Sequence, residues 1–313
     1  MKLDKINKIA VIGAGVMGHS LAQVFAQNGY SVKLHDLDHD ILEHAIELIK
    51  STLETLVELE ELSHSEIQVI LDRIEPTTDL SSALKDADFV LEAVAEVPEI
   101  KKALYSQLNK FCLRGAVLAS NTSGLDIFNI VDVDNPERLI ITHWFAPPHI
   151  IPLVEVVPGE ETSSEVISLT VEILESLGKK PVVMNKFVPA FIVNRIQNTI
   201  NSTILEMIDN GWASPEAIDR AIKYTLGIRL PIVGVAQSLD FAGLDLVNII
   251  LQRVGTQSAY LEEKVKRGNL GAKTSKGIYD YRGRSEAEIL KKRDALYLKV
   301  LKYLKKINAF EPV

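Results

Sequence analysis

One histidine and one glutamate have the types and the spacing to move a proton. Glu155 interrupts the apolar run 153–157, which has the character of a β-strand. A carboxylate inside such a strand is costly to bury unless it is paired. His143 lies 12 residues upstream, across a proline-rich turn. A histidine oriented by a carboxylate is a suitable general base for a hydroxyl proton. A structural histidine is the alternative, and the position at a strand end favours the base.

A polar segment follows the apolar strand 116–119. It consists of Ser120, Asn121, Thr122 and Ser123. A cap for the following helix would use one or two of these side chains, but not all four. The segment therefore predicts contact with a polar ligand.

A glycine-rich turn near the N-terminus joins a strand-like run to a helical pattern. Gly13 permits a tight turn, Gly15 lets a pyrophosphate approach the backbone, and Gly18 lets helix and strand pack closely. We predict that a dinucleotide contacts the whole turn, which consists of Gly13, Ala14, Gly15, Val16, Met17 and Gly18. A glycine turn without a ligand is the alternative.

Two further acids stand at the ends of predicted strands. Asp36 follows the strand 31–35 and lies 23 residues after Gly13, about where a ribose-binding acid belongs. Leu37 and Asp38 follow it with no arginine nearby, which favours NAD over NADP. Glu96 ends the strand 87–96, with Lys101 one helical turn farther on. Both are candidates for the cofactor edge, and a simple pair between them is the alternative.

The patterns that must position these residues alternate between strand and helix up to about residue 185. This alternation predicts an α/β fold, a Rossmann-like doubly wound sheet over residues 1–185. Residues 186–313 read mainly as helix, which predicts a helical C-terminal domain for substrate binding and dimerisation. Among the predicted helices, one ends at Ile74, one covers 237–251, and a basic one covers 286–306.

Bulk properties limit the classes of function. The 313 residues carry a formal net charge of −8, which argues against a nucleic-acid surface. Cys112 is the only cysteine, so an internal disulfide is excluded and a cysteine-based metal site is not expected. The N-terminal residues lack the apolar core of a signal peptide, and no stretch reaches the length of a membrane span. We therefore expect a cytoplasmic protein with a small-molecule substrate and no metal.

These residues, taken in order, resemble the 3-hydroxyacyl-CoA dehydrogenase family over nearly the whole chain. The matching motifs are Gly13-x-Gly15-x-x-Gly18, Asp36, Glu96 with Lys101, Ser120-Asn121-Thr122-Ser123, His143 with Glu155, Phe191-Ile192-Val193-Asn194-Arg195, and Gly271-x-Lys273-Thr274-x-x-Gly277-x-Tyr279. Each motif alone is modest, whereas their order and spacing together are highly specific.

The resemblance implies an NAD-dependent enzyme of fatty acid metabolism. It would oxidise a 3-hydroxy group to a 3-keto group, as a homodimer with its active site between two domains. His143 would be the base and Glu155 its partner, and Ser123 and Asn194 would bind the oxygens of the substrate. The predicted cofactor contacts beyond the glycine turn are Asp36, Glu96, Lys101, Asn121 and Lys273.

Three departures from the family pattern concern the second substrate. Ala146 stands where the family has asparagine, and Val97 follows Glu96 where the family has asparagine. Glu58, Glu60 and Glu61 occupy a helical hairpin that carries lysines in members that use CoA. Carboxylates there would repel the CoA phosphate.

Three functions stay open. The first is oxidation of a short-chain L-3-hydroxyacyl-CoA of the 3-hydroxybutyryl-CoA type. The second is oxidation of a CoA-free 3-hydroxy acid, such as L-gulonate or a carnitine-like compound. Segments 143–148 and 151–155 resemble the lambda-crystallin/L-gulonate 3-dehydrogenase branch, whose substrates carry no CoA. The third is an NAD-binding, crystallin-like protein without turnover.

Overall fold

The computed structural model describes residues 6–311, so Met1–Lys5, which bear on the expectation about a signal peptide, lie outside the described residues. The strands are β1 (Lys8–Ile12), β2 (Ser31–His35), β3 (Ile74–Thr77), β4 (Phe89–Glu92), β5 (Val117–Ser120), β6 (Leu139–Trp144), β7 (Leu153–Pro158) and β8 (Lys180–Val183). The helices of the first half are α1 (Gly18–Gln27), α2 (His39–Glu58), α3 (His64–Leu71), α4 (Leu80–Leu84), α5 (Pro98–Phe111), α6 (Ile127–Ile130) and α7 (Ser164–Ser176). Those of the second half are α8 (Val193–Asp209), α9 (Pro215–Lys223), α10 (Leu226–Ala242), α11 (Leu244–Arg253), α12 (Ala259–Lys266) and α13 (Glu286–Lys306).

These strands form one sheet in the order β3-β2-β1-β4-β5-β6-β7-β8. Strands β1 to β6 run parallel, β7 is antiparallel to β6, and β8 is parallel to β7. The order of the first six strands is that of a doubly wound dinucleotide-binding sheet, which confirms the predicted fold. Ligands of such sheets bind at the carboxyl ends of the strands where the order reverses, here between β1 and β4.

The central strands are apolar because helices cover both faces of the sheet. Ile9 and Val11 of β1 belong to a cluster with α1, α2, α3 and α7. Ala10 and Ile12, which point to the other face, join a cluster with α4, α5 and α6. The rigid sheet between these layers presents its strand ends as fixed positions for functional side chains.

The chain divides into two compact units, one that runs to Thr199 and one that begins at Ile200. Helix α8 contributes to both, because it continues through this boundary. The second unit is helical, and its buried cluster consists of Ala272, Tyr281 and Ile289 with Phe241 packed against them. The functional boundary at residues 185/186 stays a prediction.

Two predicted helices differ from the structure. The helix expected to reach Ile74 ends at Leu71, and Ile74 begins β3 instead. β3 is an edge strand, so it tolerates Pro76. The helix expected over 237–251 is broken at Gly243, whose φ of 91° lies in the left-handed region. The predicted helix 286–306 is present with those bounds.

Among the described helices, no single one has both the length and the apolar content to span a membrane. The pair α10 and α11 meets both criteria only when taken together, and it is bent by 84°.

Candidate active site

The glycine turn leaves an open backbone surface at Gly15, after the end of β1, which we call the Gly15 ledge. Gly13 has a φ of 100°, and a Cβ there would lie 2.6 Å from the Ala93 carbonyl oxygen at the end of β4. A Cβ on Gly18 would overlap the Gly13 carbonyl, so both glycines are required for packing. Gly15 is exposed, and a Cβ there would meet no atom within 4 Å. The free space beside Gly15 is where a ligand can approach the backbone.

Asp36 is fixed beside this turn by two backbone amides. The Ala14 N–H donates to one carboxylate oxygen and the Leu37 N–H to the other, both at 2.8 Å. The Ala14 N–H therefore supports Asp36, and the Ala14 side chain is buried. The contact of Ala14 with the cofactor stays a prediction. The residues that follow Gly15 and Asp36 in the sequence, Val16 and Leu37, have apolar side chains that are 81% and 88% exposed. An anchored carboxylate next to an open glycine suits the ribose and pyrophosphate of a dinucleotide.

Glu96 and Lys101 do pair, but Lys101 is not available to a ligand. Its side chain is 1% exposed, and its ammonium lies 2.6 Å from a carboxylate oxygen of Glu92 and 3.2 Å from Glu96. Lys101 thus forms an internal ion pair in the structure, and its contact with the cofactor stays a prediction. Burial raises the pKa of Glu96, but hydrogen bonds from Thr122 and Ser123 and the charge of Lys101 outweigh it and lower the pKa overall.

The polar segment after β5 is largely used inside the protein. Ser120 donates to Glu92, Thr122 donates to Glu96, and the Asn121 side-chain oxygen accepts from the Trp144 N–H. Only the Ser123 side chain is exposed. Three of these side chains therefore organise the strand ends, and the contacts of Asn121 and Ser123 with a ligand stay predictions.

His143 and Glu155 are direct partners across the antiparallel pair β6–β7. The imidazole Nδ1 lies 2.8 Å from a carboxylate oxygen of Glu155, and the two side chains are 5% and 1% exposed. Phe145 and Phe191 confine the ring, with centroid distances of 4.5 Å and 5.2 Å. The second oxygen of Glu155 accepts the backbone N–H groups of Ile192, at 3.0 Å, and Val193, at 2.8 Å.

The charge of Glu155 determines which imidazole nitrogen of His143 carries the proton. Burial raises the pKa of this carboxyl, but the hydrogen bonds from His143, Val193 and Ile192 lower it further, so the net shift is downward. A carboxylate only accepts hydrogen bonds, so Nδ1 of His143 carries the proton in the neutral ring. Nε2 is then the ring nitrogen without a proton, and it can accept a hydrogen bond.

The structure brings Ser123 and Asn194 together and describes Lys273 separately. The Asn194 side-chain amide donates to the Ser123 carbonyl at 3.5 Å, both within the first unit. Lys273 belongs to the second unit, where its ammonium lies 2.6 Å and 2.7 Å from the carboxylate oxygens of Asp245. No group of three His, Cys, Asp or Glu side chains able to hold a metal is found within residues 6–311.

Sequence reasoning missed two buried charges around the site. Glu92 is 0% exposed at the end of β4, and a carboxylate in an apolar strand was the signal that could have found it. Lys179 is 6% exposed and donates to the carbonyls of Pro148 and Ile151 in the loop after His143. Burial lowers the pKa of Lys179. Its partners are backbone groups, which no side-chain pattern reveals.

The doubly wound sheet, the anchored Asp36 and the buried His143–Glu155 pair define the class: a dinucleotide-dependent dehydrogenase. Two family descriptions match the chain: "3-hydroxyacyl-CoA dehydrogenase, NAD binding domain" over residues 8–187, and the C-terminal domain of the same family over 191–281. The chain therefore belongs to the 3-hydroxyacyl-CoA dehydrogenase family, whose members are NAD-dependent oxidoreductases that act on CH–OH groups.

Similar proteins differ in the substrates that their names specify. A probable 3-hydroxybutyryl-CoA dehydrogenase of Deinococcus radiodurans is 36% identical over 88% of this chain and all of its own length. The 3-hydroxyadipyl-CoA dehydrogenase of Escherichia coli K12 is 35% identical over 91% of this chain, which spans 61% of that relative. The L-carnitine dehydrogenase of Oceanobacillus iheyensis is 32% identical over 76% of each chain.

A solved structure shares the fold over nearly the whole chain. It is a 3-hydroxyacyl-CoA dehydrogenase from Archaeoglobus fulgidus, with a TM-score of 0.80 and 32% identity. The match covers 96% of this chain and 99% of that structure.

Proposed function

We propose that the protein oxidises the 3-hydroxy group of a short-chain L-3-hydroxyacyl-CoA, with His143 as the general base. The observation that carries the proposal is the buried Nδ1–carboxylate contact of His143 and Glu155 at 2.8 Å. This contact presents Nε2 as the basic nitrogen. Its location at the carboxyl end of β6, in an NAD-binding sheet, supports proton removal from a substrate alcohol.

The chemistry divides between cofactor and protein. NAD, when bound, supplies the acceptor for the hydride that leaves the alcohol carbon. Nε2 of His143 takes the hydroxyl proton, so that the C–O bond becomes a carbonyl. Glu155 stabilises the imidazolium that results, and Ser123 and Asn194 hold the oxygens of the substrate. Asp36 and the Gly15 ledge bind the cofactor.

The direct test is reduction of acetoacetyl-CoA with NADH, followed by the loss of cofactor absorbance. We expect turnover that depends on His143. Absence of oxidation at high enzyme concentration would refute the acyl-CoA substrate. NADH binding is measured separately by fluorescence titration, so that loss of the substrate hypothesis is distinguished from loss of the cofactor site.

A CoA-free 3-hydroxy acid is the second candidate substrate. The exposed carboxylates Glu58, Glu60 and Glu61 at the end of α2 favour it, because they would repel the phosphates of CoA. The resemblance to an L-carnitine dehydrogenase also supports it. A screen of carnitine, gulonate and 3-hydroxybutyrate with NAD tests this candidate. NADH binding without turnover on any of these or on acetoacetyl-CoA would favour a crystallin-like binding protein.

We further propose a cytoplasmic homodimer that associates through the helical residues 186–313. The support is the number of large apolar side chains exposed there, among them Leu205, Trp212, Leu246, Ile250 and Val254. Light scattering coupled to size-exclusion chromatography should give twice the chain mass of 34.7 kDa. A single chain mass at micromolar concentration would overturn the dimer.

A further inference from the structure

Glu92 lies at the centre of a buried polar cluster between β4 and β5. Glu92 and Ser120 are the last residues of their strands and are directly paired in register. The Ser120 hydroxyl donates to one oxygen of Glu92 at 2.6 Å, and Lys101 donates to the other, also at 2.6 Å. The Val94 N–H donates to that second oxygen at 3.0 Å. These donors fully engage a carboxylate that has no access to solvent.

A chain of contacts leads from this cluster to the exposed loop after β5. Lys101 lies 3.2 Å from one oxygen of Glu96, whose side chain is 41% exposed. The other oxygen of Glu96 accepts the Thr122 hydroxyl at 2.5 Å and the Ser123 N–H at 2.8 Å. The buried pair thus determines where Glu96 stands, and Glu96 determines where Ser123 stands.

The charge balance explains why Glu92 is needed. Lys101 is almost completely buried, and a buried ammonium without a matched charge is strongly unfavourable. Glu96 does not replace Glu92 in the interior, because its side chain is 41% exposed and its other oxygen accepts from Thr122 and Ser123. With Glu92 as the buried counter-ion, Glu96 remains at the surface, and the single ammonium holds both carboxylates.

We propose that Glu92 is a positioning residue for the reaction, which acts through Lys101 and Glu96 on the Ser123 loop. This inference rests on the proposed function, because it assigns to that loop the binding of substrate and cofactor. The alternative is that Glu92 and Lys101 form an ion pair that only stabilises the sheet.

A neutral double substitution separates the two roles. Glu92→Gln alone leaves Lys101 with only the partly exposed Glu96 as counter-charge, and Lys101→Met alone leaves the buried carboxylate of Glu92 with no counter-charge, so each should destabilise the fold. The double variant removes both charges and should recover the unfolding midpoint. If Glu92 positions the loop, the recovered double variant should still have kcat/KM for acetoacetyl-CoA and NADH at least about tenfold below wild type. Recovery of stability together with full kcat/KM would overturn the proposal.

Two further variants keep the test decisive. Lys102→Met removes an exposed neighbouring lysine and should leave both stability and kcat/KM unchanged. The triple variant, which combines Glu96→Gln with the double variant, should have the same kcat/KM as the single variant Glu96→Gln. This is expected because Glu92 acts through Glu96. Additive losses would contradict the proposal. If the double variant does not fold, Ser120→Ala replaces it, with the same expected non-additivity toward Glu96→Gln.

NADH fluorescence titration distinguishes this proposal from the proposed function. If wild-type protein neither binds NADH nor reduces acetoacetyl-CoA, the proposed function itself is refuted. If wild-type protein binds NADH and reduces acetoacetyl-CoA, and the neutral double variant has the same kcat/KM, only the proposed role of Glu92 is refuted.

Discussion

The two carboxylate oxygens of Glu155 form hydrogen bonds with different partners. One oxygen orients His143, and the other accepts the N–H groups of Ile192 and Val193 where α8 begins. Ala190 and Phe191, just before that point, have left-handed φ values of 64° and 50°, which are unfavourable for residues with a Cβ. The strained turn directs the two amides toward Glu155.

Replacement of His143 should slow catalysis strongly and leave cofactor binding unchanged. His143→Gln keeps a polar side chain of similar size but removes the basic nitrogen. We expect kcat to fall by at least about two orders of magnitude, the usual contribution of a positioned base. NADH affinity in a fluorescence titration should stay as in wild type. A variant near full speed would contradict the assignment of the base.

The lowered pKa of Glu155 predicts how stability depends on pH. The unfolded carboxyl has a pKa near 4.5, and the folded value is lower, so the carboxylate stabilises the folded state above pH 4.5. That contribution is lost as the pH falls through the folded value. The stability difference between wild type and Glu155→Gln, measured by denaturant unfolding, should therefore shrink as the pH is lowered through 4.5 and below.

The matched control for this measurement is Glu161→Gln, which removes an exposed carboxyl. Its difference from wild type should be small at every pH. If the Glu155→Gln difference is equally flat, the carboxylate contributes nothing specific to folding.

The contact between His143 and Glu155 was predictable because one signal was strong. A single carboxylate in an apolar strand led to Glu155, and sequence spacing then led to His143. The same signal marks Glu92, but the predicted strand 87–96 ends at Glu96, four residues beyond the observed end of β4 at Glu92. The burial of Lys101 could not be predicted, since it depends on how α5 packs against the sheet.

At the scale of elements, the turn from β1 to α1 separates packing from binding. A Cβ at Gly18 would overlap the Gly13 carbonyl, whereas a Cβ at Gly15 would meet nothing. Gly18→Ala should therefore lower the thermal unfolding midpoint. Gly15→Ala should fold with a midpoint near that of wild type but bind NADH at least about tenfold more weakly, because the pyrophosphate needs the backbone there. Equal NADH affinity of Gly15→Ala and wild type would show that the cofactor does not bind at Gly15.

The loop after β6 is held by a buried lysine. Lys179 donates to the carbonyls of Pro148 and Ile151, and its ammonium lies 5.7 Å from the centroid of the Trp144 ring. Lys179→Met leaves both carbonyls without this donor, so we expect a loss of about 1–3 kcal/mol in the free energy of unfolding. Lys180→Met, at the exposed neighbouring position, is the control and should change it by less than about 0.5 kcal/mol. Similar losses in both variants would contradict the role of Lys179.

Element boundaries were predictable where caps are local. Ser285 caps α13 together with Glu288, and that helix was placed with the observed bounds. The short strand β3 and helix α4 were missed, because each has only four or five residues and too little periodicity. The break at Gly243 was also missed, since glycine within an apolar pattern is compatible with a continuous helix.

At the scale of the whole molecule, α13 extends beyond the part of the chain that matches the family. That match ends at residue 281, whereas the Archaeoglobus structure covers 96% of the chain. The uncovered 4%, about 13 residues, is shorter than the 21 residues of α13, so that structure includes at least part of this helix.

Ile289 tests whether α13 is an integral part of the second unit. It is 4% exposed and belongs to the buried cluster with Ala272 and Tyr281. Ile289→Ala should lower the free energy of unfolding by about 2–4 kcal/mol. Leu298→Ala on the same helix, at a side chain that is 58% exposed, should cost less than about 0.5 kcal/mol. A negligible effect of Ile289→Ala would mean that the helix adds nothing to the stability of that unit.

The shared carboxylate of Glu155 also gives the protein a built-in spectroscopic reporter. The amide protons of Ile192 and Val193 bond to one of its oxygens, while His143 bonds to the other. Any change in the charge of the imidazole alters the electron density on the whole carboxylate. The nuclear magnetic resonance shifts of these two amide protons should therefore report on the contact between His143 and Glu155, without a probe attached to either side chain.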